Sequence, residues 1–160
     1  MKQLHQISAA PTANNIIGID YGSKLAGTTV IAHWQAMKTT PLLYQSKKKR
    51  DADRFLLDWI SEQRPTHIFL DAPLSLPGIY SQLPDCTNYF YRAGDIALRA
   101  MSPMFLGGLT ARAMQLQSRI KPLGAQVIEI YPSHLAHCLG LKALSYKKQL
   151  THLPAVSVAL

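Results

Sequence analysis

The sequence predicts an α/β domain built on a sheet that mixes antiparallel and parallel strands. Three short apolar segments separated by turns precede residue 47, which is typical of an antiparallel meander. Apolar strand-like segments and amphipathic helices then alternate, which favours parallel pairing. The length of 160 residues fits one domain, and 48% hydrophobic with 16% charged residues is a composition of folded chains. We therefore expect a loose leader over residues 1–13 and one domain over residues 14–160.

The predicted strands are apolar runs that end at turn-forming or acidic residues. They cover residues 14–21, 26–33, part of 37–46, 66–71 and 126–131. The first helix has its apolar face at Phe55, Leu56, Trp59 and Ile60, an N-terminus at Asp51 or Asp53, and an end at Arg64-Pro65. Later helices are predicted over about 92–101, about 110–121 and from 133 through Cys138. Leu109, Ala113, Leu116 and Ile120 give the helix over 110–121 a clear helical period.

The charge balance indicates the class of partner. Seventeen Lys and Arg residues against nine Asp and Glu give a formal net charge of +8, which attracts polyanions such as nucleic acid. The alternative is that the positive charge serves only to keep the protein soluble. No run of about 18 apolar residues and no apolar signal segment occurs, so we expect no membrane partner and a cytoplasmic location. Phosphate-binding glycine loops, hydrolase elbows and dinucleotide fingerprints are also missing from the sequence.

Asp20 lies near the end of the first predicted strand, within the most informative segment, Gly18 to Lys24. A carboxylate at the end of a buried strand is costly unless it is compensated, and metal coordination is a common compensation. Gly22 would let a phosphate approach the backbone, with Ser23 and Lys24 beside it as further substrate contacts. The alternative is that Asp20 simply caps the turn into the next strand.

Two more carboxylates lie at or near strand ends. Asp71 follows an apolar strand and precedes Pro73 and Pro77, which stiffen the loop, although an Asx turn is the alternative. Glu129 interrupts an apolar strand shortly before Pro132, and a carboxylate there needs a metal or an arginine as partner. If the three strands are neighbours, these acids converge and would hold paired Mg²⁺ or Mn²⁺ ions at a phosphodiester.

Arg92 and Asp95 are three residues apart at the start of a predicted helix and therefore lie on the same side of it. A role at the site and a simple intrahelical ion pair are both consistent with this spacing.

The combination of these motifs resembles a known family. The segments are GIDYGSKLAG (residues 18–27), LDAPLSLP (70–77), the Arg92 to Asp95 helical pair and IEIYPS (128–133). Over roughly residues 15–134 they resemble the domain-of-unknown-function family 429, described as predicted nucleases of ribonuclease-H-like fold. The first segment also resembles putative Holliday junction resolvases of the ribonuclease-H-like superfamily. The resemblance implies a five-stranded mixed sheet in the order 3-2-1-4-5 with helices on both faces, and it puts Asp20 beside Asp71.

The resemblance implies a metal-dependent nuclease or phosphodiesterase that uses Mg²⁺ or Mn²⁺. Asp20 and Asp71 would be the principal metal ligands, with Glu129 as a third ligand or a group that orients the base. Nucleases of this fold usually add an acid from the last helix, and this chain has none after Glu129, so Glu129 or Asp95 would complete the cluster. Lys24 and Arg92 would contact phosphate, while Asp95 would hold Arg92 or water.

Two other classes of function remain open from the sequence. Asp20-Tyr21-Gly22 also matches the phosphate turn of actin-like and sugar-kinase ATP-binding lobes, and 160 residues would supply one of two lobes, so a homodimer is then expected. A non-catalytic nucleic-acid-binding protein that kept the fold is the third reading.

Overall fold

One five-stranded mixed sheet organises the protein, which we describe from a computed structural model over residues 15–35 and 40–141. The strands are β1 (Ile16–Asp20), β2 (Val30–Trp34), β3 (Leu42–Gln45), β4 (His67–Asp71) and β5 (Gln126–Glu129). Their order is β3-β2-β1-β4-β5, with β1, β2 and β3 antiparallel and β1, β4 and β5 parallel. The predicted α/β class and strand order are therefore confirmed. The predicted leader and residues 37–39 of the third predicted strand lie outside the described residues.

Five α-helices and two short 3-10 helices, Gly78–Ser81 and Lys121–Leu123, connect the strands within the described residues. The α-helices are α1 (Ala52–Gln63), α2 (Ala93–Leu98), α3 (Pro103–Leu106), α4 (Gly108–Ile120) and α5 (Pro132–Cys138). Of the two N-terminal candidates in the sequence, Asp51 and Asp53, Asp51 caps α1 by accepting from the Asp53 and Arg54 amides. Arg64 ends the helix in a left-handed conformation. Within these same residues, none of the helices has the length and apolar character that a membrane span requires.

The core lies on one face of the sheet, under α1 and α4. Alternating residues of β1 and β4 point to this face, and the predicted stripes of the two helices cover them. The fully buried members are Ile17, Ile19, Ile68, Leu70, Leu56, Ile60, Leu116 and Ile120. Residues of the opposite face, such as Ile16 and Phe69, are only half-buried. The strand period therefore directs Asp20 and Asp71 away from the core.

Two predicted boundaries differ from the structure by three or four residues, and both differences come from backbone turns. Strand β2 begins at Val30 rather than at residue 26, because the chain turns over residues 24–27 and Gly27 adopts a φ of 74°. Helix α2 ends at Leu98 rather than near residue 101, because Arg99 adopts a left-handed φ of 52°. Left-handed backbone at a non-glycine residue has no signature in hydrophobic periodicity, so the pattern did not reveal the end of α2.

Candidate active site

Asp20 and Asp71 lie side by side at the carboxyl ends of two parallel strands. They are register partners in the β1–β4 pair, directly after the buried pair Ile19 and Leu70. Register partners on neighbouring strands project to the same face and are separated by about 5 Å along the sheet. Asp20 is exposed and Asp71 is half-buried. The adjacency that the family resemblance implies is thus present.

Glu129 and Arg92 fix the loop that follows Asp71. The Glu129 carboxylate accepts the Leu74 amide at 2.8 Å, which ties the exit of β4 to the end of β5. Arg92 donates to both oxygens of Glu129, from Nη2 at 2.6 Å and from Nη1 at 2.8 Å. Its Nη1 also lies 3.0 Å from the Ser75 hydroxyl. This bidentate pair anchors the backbone within four residues of Asp71.

Asp95 holds the other side of the Arg92 guanidinium. Its carboxylate is 3% exposed and accepts from Arg92 Nη2 at 2.6 Å and Nε at 2.9 Å. It also accepts the Arg92 backbone amide at 2.8 Å, so it helps to cap α2. Hydrogen bonds from Arg92 to Glu129 and Asp95 raise the pKa of Arg92 further above its usual value. The predicted same-side Arg92–Asp95 pair is confirmed, and Arg92 bridges two carboxylates.

A second arginine–carboxylate pair fixes the loop that follows Asp20. Arg112 on α4 donates to both oxygens of Asp53 on α1, at 2.6 and 2.9 Å, and to the Gly22 carbonyl at 3.2 Å. Tyr21 donates its hydroxyl to Asp53 at 2.6 Å, and the Arg112 guanidinium lies 4.7 Å from the centre of the Tyr21 ring. The exit of β1 is therefore anchored to both core helices.

This second pair was missed by the sequence analysis. Its one sequence signal is Arg112, which lies one helical turn from Leu109 and from Leu116 on the edge of the α4 apolar stripe. A cation at the edge of a buried face needs an acid as partner. Nothing in the periodicity, however, identifies Asp53 as that acid.

The Tyr21–Asp53 hydrogen bond predicts a pH-dependent stability. Burial is the main cause that raises the pKa of Tyr21 above its ordinary value of about 10, and the bond to Asp53 adds to it. A group whose pKa is raised on folding contributes stability that is complete below its unfolded pKa and declines as pH rises above it. We expect Tyr21→Phe to cost about 1 kcal/mol at pH 7 and clearly less at pH 11, as measured by urea unfolding. An unchanged difference at pH 11 would contradict this linkage.

Gly22, Ser23 and Lys24, the predicted phosphate contacts, lie in the turn after Asp20. The Gly22 amide donates to the Thr29 hydroxyl at 3.1 Å, and Lys24 forms a 3.2 Å ion pair with Asp51. Ser23 is exposed. The glycine has a packing reason, because a Cβ built on Gly22 would lie 2.9 Å from Thr28 backbone and side-chain carbons. Phosphate contact by this turn remains a prediction.

The packing at Gly22 gives a direct test. We expect Gly22→Ala to lower the free energy of unfolding by about 2 kcal/mol, because overpacking of this kind strains the backbone. Gly18→Ala is the matched control in the preceding strand, since a Cβ there has nothing within 4 Å. Equal unfolding free energies for the two variants in denaturant titrations would show that Gly22 is not required for packing.

A cleft of about 450 Å³ opens beside Asp71, and we call it the β4–β5 cleft. Its polar lining residues are Asp71, Arg92, Asp95, Glu129 and Tyr131. Its walls are mostly apolar and include Leu98, Met101, Leu106, Leu109 and Ile130. Pockets of this size and composition are typical of sites for small organic groups.

A divalent cation is better matched by Asp20 and Asp71 alone than by the predicted cluster of Asp20, Asp71 and Glu129. Two carboxylates on neighbouring strands are a donor set that Mg²⁺ accepts, since it completes its coordination with water and phosphate oxygens. Within residues 15–35 and 40–141, no group of three or more His, Cys, Asp or Glu side chains is arranged to hold a metal ion. Both oxygens of Glu129 already accept hydrogen bonds from Arg92. A third-ligand role for Glu129 remains a prediction.

Comparisons of the chain with protein-family models, with curated proteins and with solved structures gave no match.

Proposed function

We propose that the protein is a Mg²⁺- or Mn²⁺-dependent nuclease that acts on phosphodiester bonds at the Asp20–Asp71 pair. The observation that carries the proposal is the register pairing of these two carboxylates at the carboxyl ends of adjacent parallel strands. Carboxyl ends of parallel strands are where α/β sheets commonly bind ligands. The family resemblance over residues 15–134 points to the same class of reaction.

The chemistry of the pair suits phosphoryl groups. Asp20 and Asp71 would hold the cation, which supplies Lewis-acid stabilisation of the charge that develops on phosphate oxygens. Without a cation, two adjacent carboxylates repel a phosphodiester, so a metal requirement follows from their charge. The formal net charge of +8 favours approach of a polyanion to the protein as a whole.

The two arginine–carboxylate pairs would act as positioning groups for the carboxylates. Arg112 and Asp53 anchor the chain just after Asp20, and Arg92 and Glu129 anchor it just after Asp71. Rigid placement of ligands limits the reorganisation required when a cation and a substrate bind. We therefore expect Arg92 and Glu129 to act through Asp71 rather than on the phosphate.

Calorimetric titration with Mn²⁺ tests the proposal. We expect one site in the wild-type protein and at least tenfold weaker binding in Asp20→Asn and in Asp71→Asn, because each removes one charged ligand. Asp58→Asn is the matched control, since Asp58 is an exposed acid on α1 that pairs only at the surface with Arg54. Mn²⁺ binding that survives both site substitutions would overturn the proposal. Oligonucleotide binding by a protein that shows no Mn²⁺ site would instead identify a non-catalytic nucleic-acid-binding protein.

A further inference from the structure

A second cavity adjoins the β4–β5 cleft and differs from it in chemistry. It measures about 360 Å³, and we call it the histidine cavity. It is lined by Ala97, Leu98, Arg99, Tyr131, His134 and His137. Leu98 and Tyr131 also line the β4–β5 cleft, so the two cavities share a wall.

The histidine cavity has the side chains of an anion site. Arg99 and the two histidines His134 and His137 supply N–H donors, and none of the described residues that line the cavity is a carboxylate. Arg99 has no ion-pair partner in the part of the chain that the structure describes. Planar guanidinium groups bind phosphate oxygens well. Arg99 is an exposed residue and is therefore available to a ligand in this cavity.

The β4–β5 cleft has the opposite preference. Arg92 is the one cation among the described residues that line it, and it is already paired with Asp95 and Glu129. Asp71 is a third acid in the lining. An anionic group is therefore disfavoured there. A flat, neutral group with N–H donors suits the cleft, because apolar walls contact its faces and carboxylate oxygens accept at its edge.

We infer that the adjoining cavities bind one nucleotide, with its base in the β4–β5 cleft and its phosphate against Arg99, His134 and His137. The inference rests on the proposed function, because it assigns a nucleotide of the nucleic-acid substrate to a subsite next to Asp71. Charge complementarity selects the orientation, since Asp71, Asp95 and Glu129 line the β4–β5 cleft and Arg99 lines the histidine cavity.

Titration with mononucleotides in EDTA tests this subsite separately from metal binding. The four ribonucleoside 5′-monophosphates are measured first, followed by the nucleoside of the tightest one and by ribose 5-phosphate. We expect the monophosphate to bind about tenfold more tightly than either fragment, because each fragment fills only one cavity. If none of the monophosphates binds at millimolar concentration, or ribose 5-phosphate binds as tightly as the best of them, the inference is overturned.

Variants assign each half of the nucleotide to its cavity. Arg99→Gln should weaken monophosphate binding about tenfold and leave nucleoside binding within about twofold. Arg119→Gln is the matched control, because it removes the same charge from an exposed position at the far end of α4. Equal effects of the two substitutions would contradict the phosphate assignment.

The base assignment has its own variants. Ala100→Phe places a ring in the β4–β5 cleft and should abolish nucleoside binding. Met101→Ala, at a 60% exposed position, removes a cleft contact with little risk to folding and should weaken nucleoside binding several-fold. Unchanged nucleoside affinity in both variants would contradict the base assignment. The nuclease proposal and the subsite can also fail separately. Nucleotide binding by a protein with no Mn²⁺ site would overturn the proposed nuclease but support the nucleotide subsite. An Mn²⁺ site in a protein that binds no nucleotide would support the nuclease but overturn the subsite.

Discussion

Asp20→Asn and Asp71→Asn should each lower the rate of Mn²⁺-dependent oligonucleotide cleavage at least about 10³-fold. A cation contributes several kcal/mol of transition-state stabilisation, and each 1.36 kcal/mol corresponds to a factor of ten in rate. Asparagine keeps the size of the side chain but removes the charge. The register pairing gives the two residues equivalent positions, so we expect losses of similar size. Single-turnover cleavage of a labelled oligonucleotide at saturating Mn²⁺ measures the effect.

Two controls separate this loss from indirect effects. Asp58→Asn on the surface of α1 should keep the full cleavage rate. Asp20→Asn should unfold at or above the wild-type denaturant midpoint, because removal of one of two adjacent like charges relieves repulsion. A cleavage rate in Asp71→Asn within tenfold of the wild type would exclude this carboxylate from the reaction.

Arg92→Met should cause a large loss of stability, about 3 kcal/mol. The substitution leaves Asp95, which is 3% exposed, and Glu129 without their cation. Breaking a buried ion pair from one side is strongly destabilising because a charge is left uncompensated. Chemical denaturation at neutral pH measures the loss. The Mn²⁺ affinity should also fall about tenfold, as expected for a group that supports a metal ligand.

A double-mutant cycle tests whether the loss comes from the Arg92–Asp95 pair. Asp95→Asn removes the buried charge, so Arg92→Met should cost about 1 to 2 kcal/mol less in that background. Arg92→Lys keeps the charge but not the fork that bridges two carboxylates, and it should recover only part of the stability. The cycle contradicts this account if the two substitutions have additive effects on the free energy of unfolding, or if Arg92→Met lowers it by less than about 1 kcal/mol. Arg92 would then be available for a phosphate instead.

Local patterns were sufficient to predict much of the fold. The apolar run before Asp20, the stripe that includes Leu116 and the cap at Asp51 all depend on neighbours within a few residues, and the structure confirms them. The end of α2 depends on the left-handed backbone of Arg99, which hydrophobic spacing does not encode. The strand order came from the family resemblance rather than from periodicity, and the structure confirms it.

The candidate site was only partly predictable for a different reason. A carboxylate such as Glu129 in an apolar strand has to have a partner, and the sequence left metal and arginine as alternatives. The structure provides the arginine, 37 residues earlier in the chain. Arg112 and Asp53 are 59 residues apart and meet only after α1 and α4 pack together. Such pairs follow from the tertiary fold, so a single sequence gives no local signal for them.

The location of a bound Mn²⁺ ion tests the central claim most directly. Anomalous diffraction from a crystal of the protein soaked in Mn²⁺ identifies the ion and its ligands without reliance on activity. We predict an anomalous peak between Asp20 and Asp71, within coordinating distance of an oxygen of each carboxylate and absent from Asp71→Asn crystals. A fully soaked crystal with no peak at this pair, or with its peak elsewhere, would contradict the assignment of these two carboxylates as the metal site.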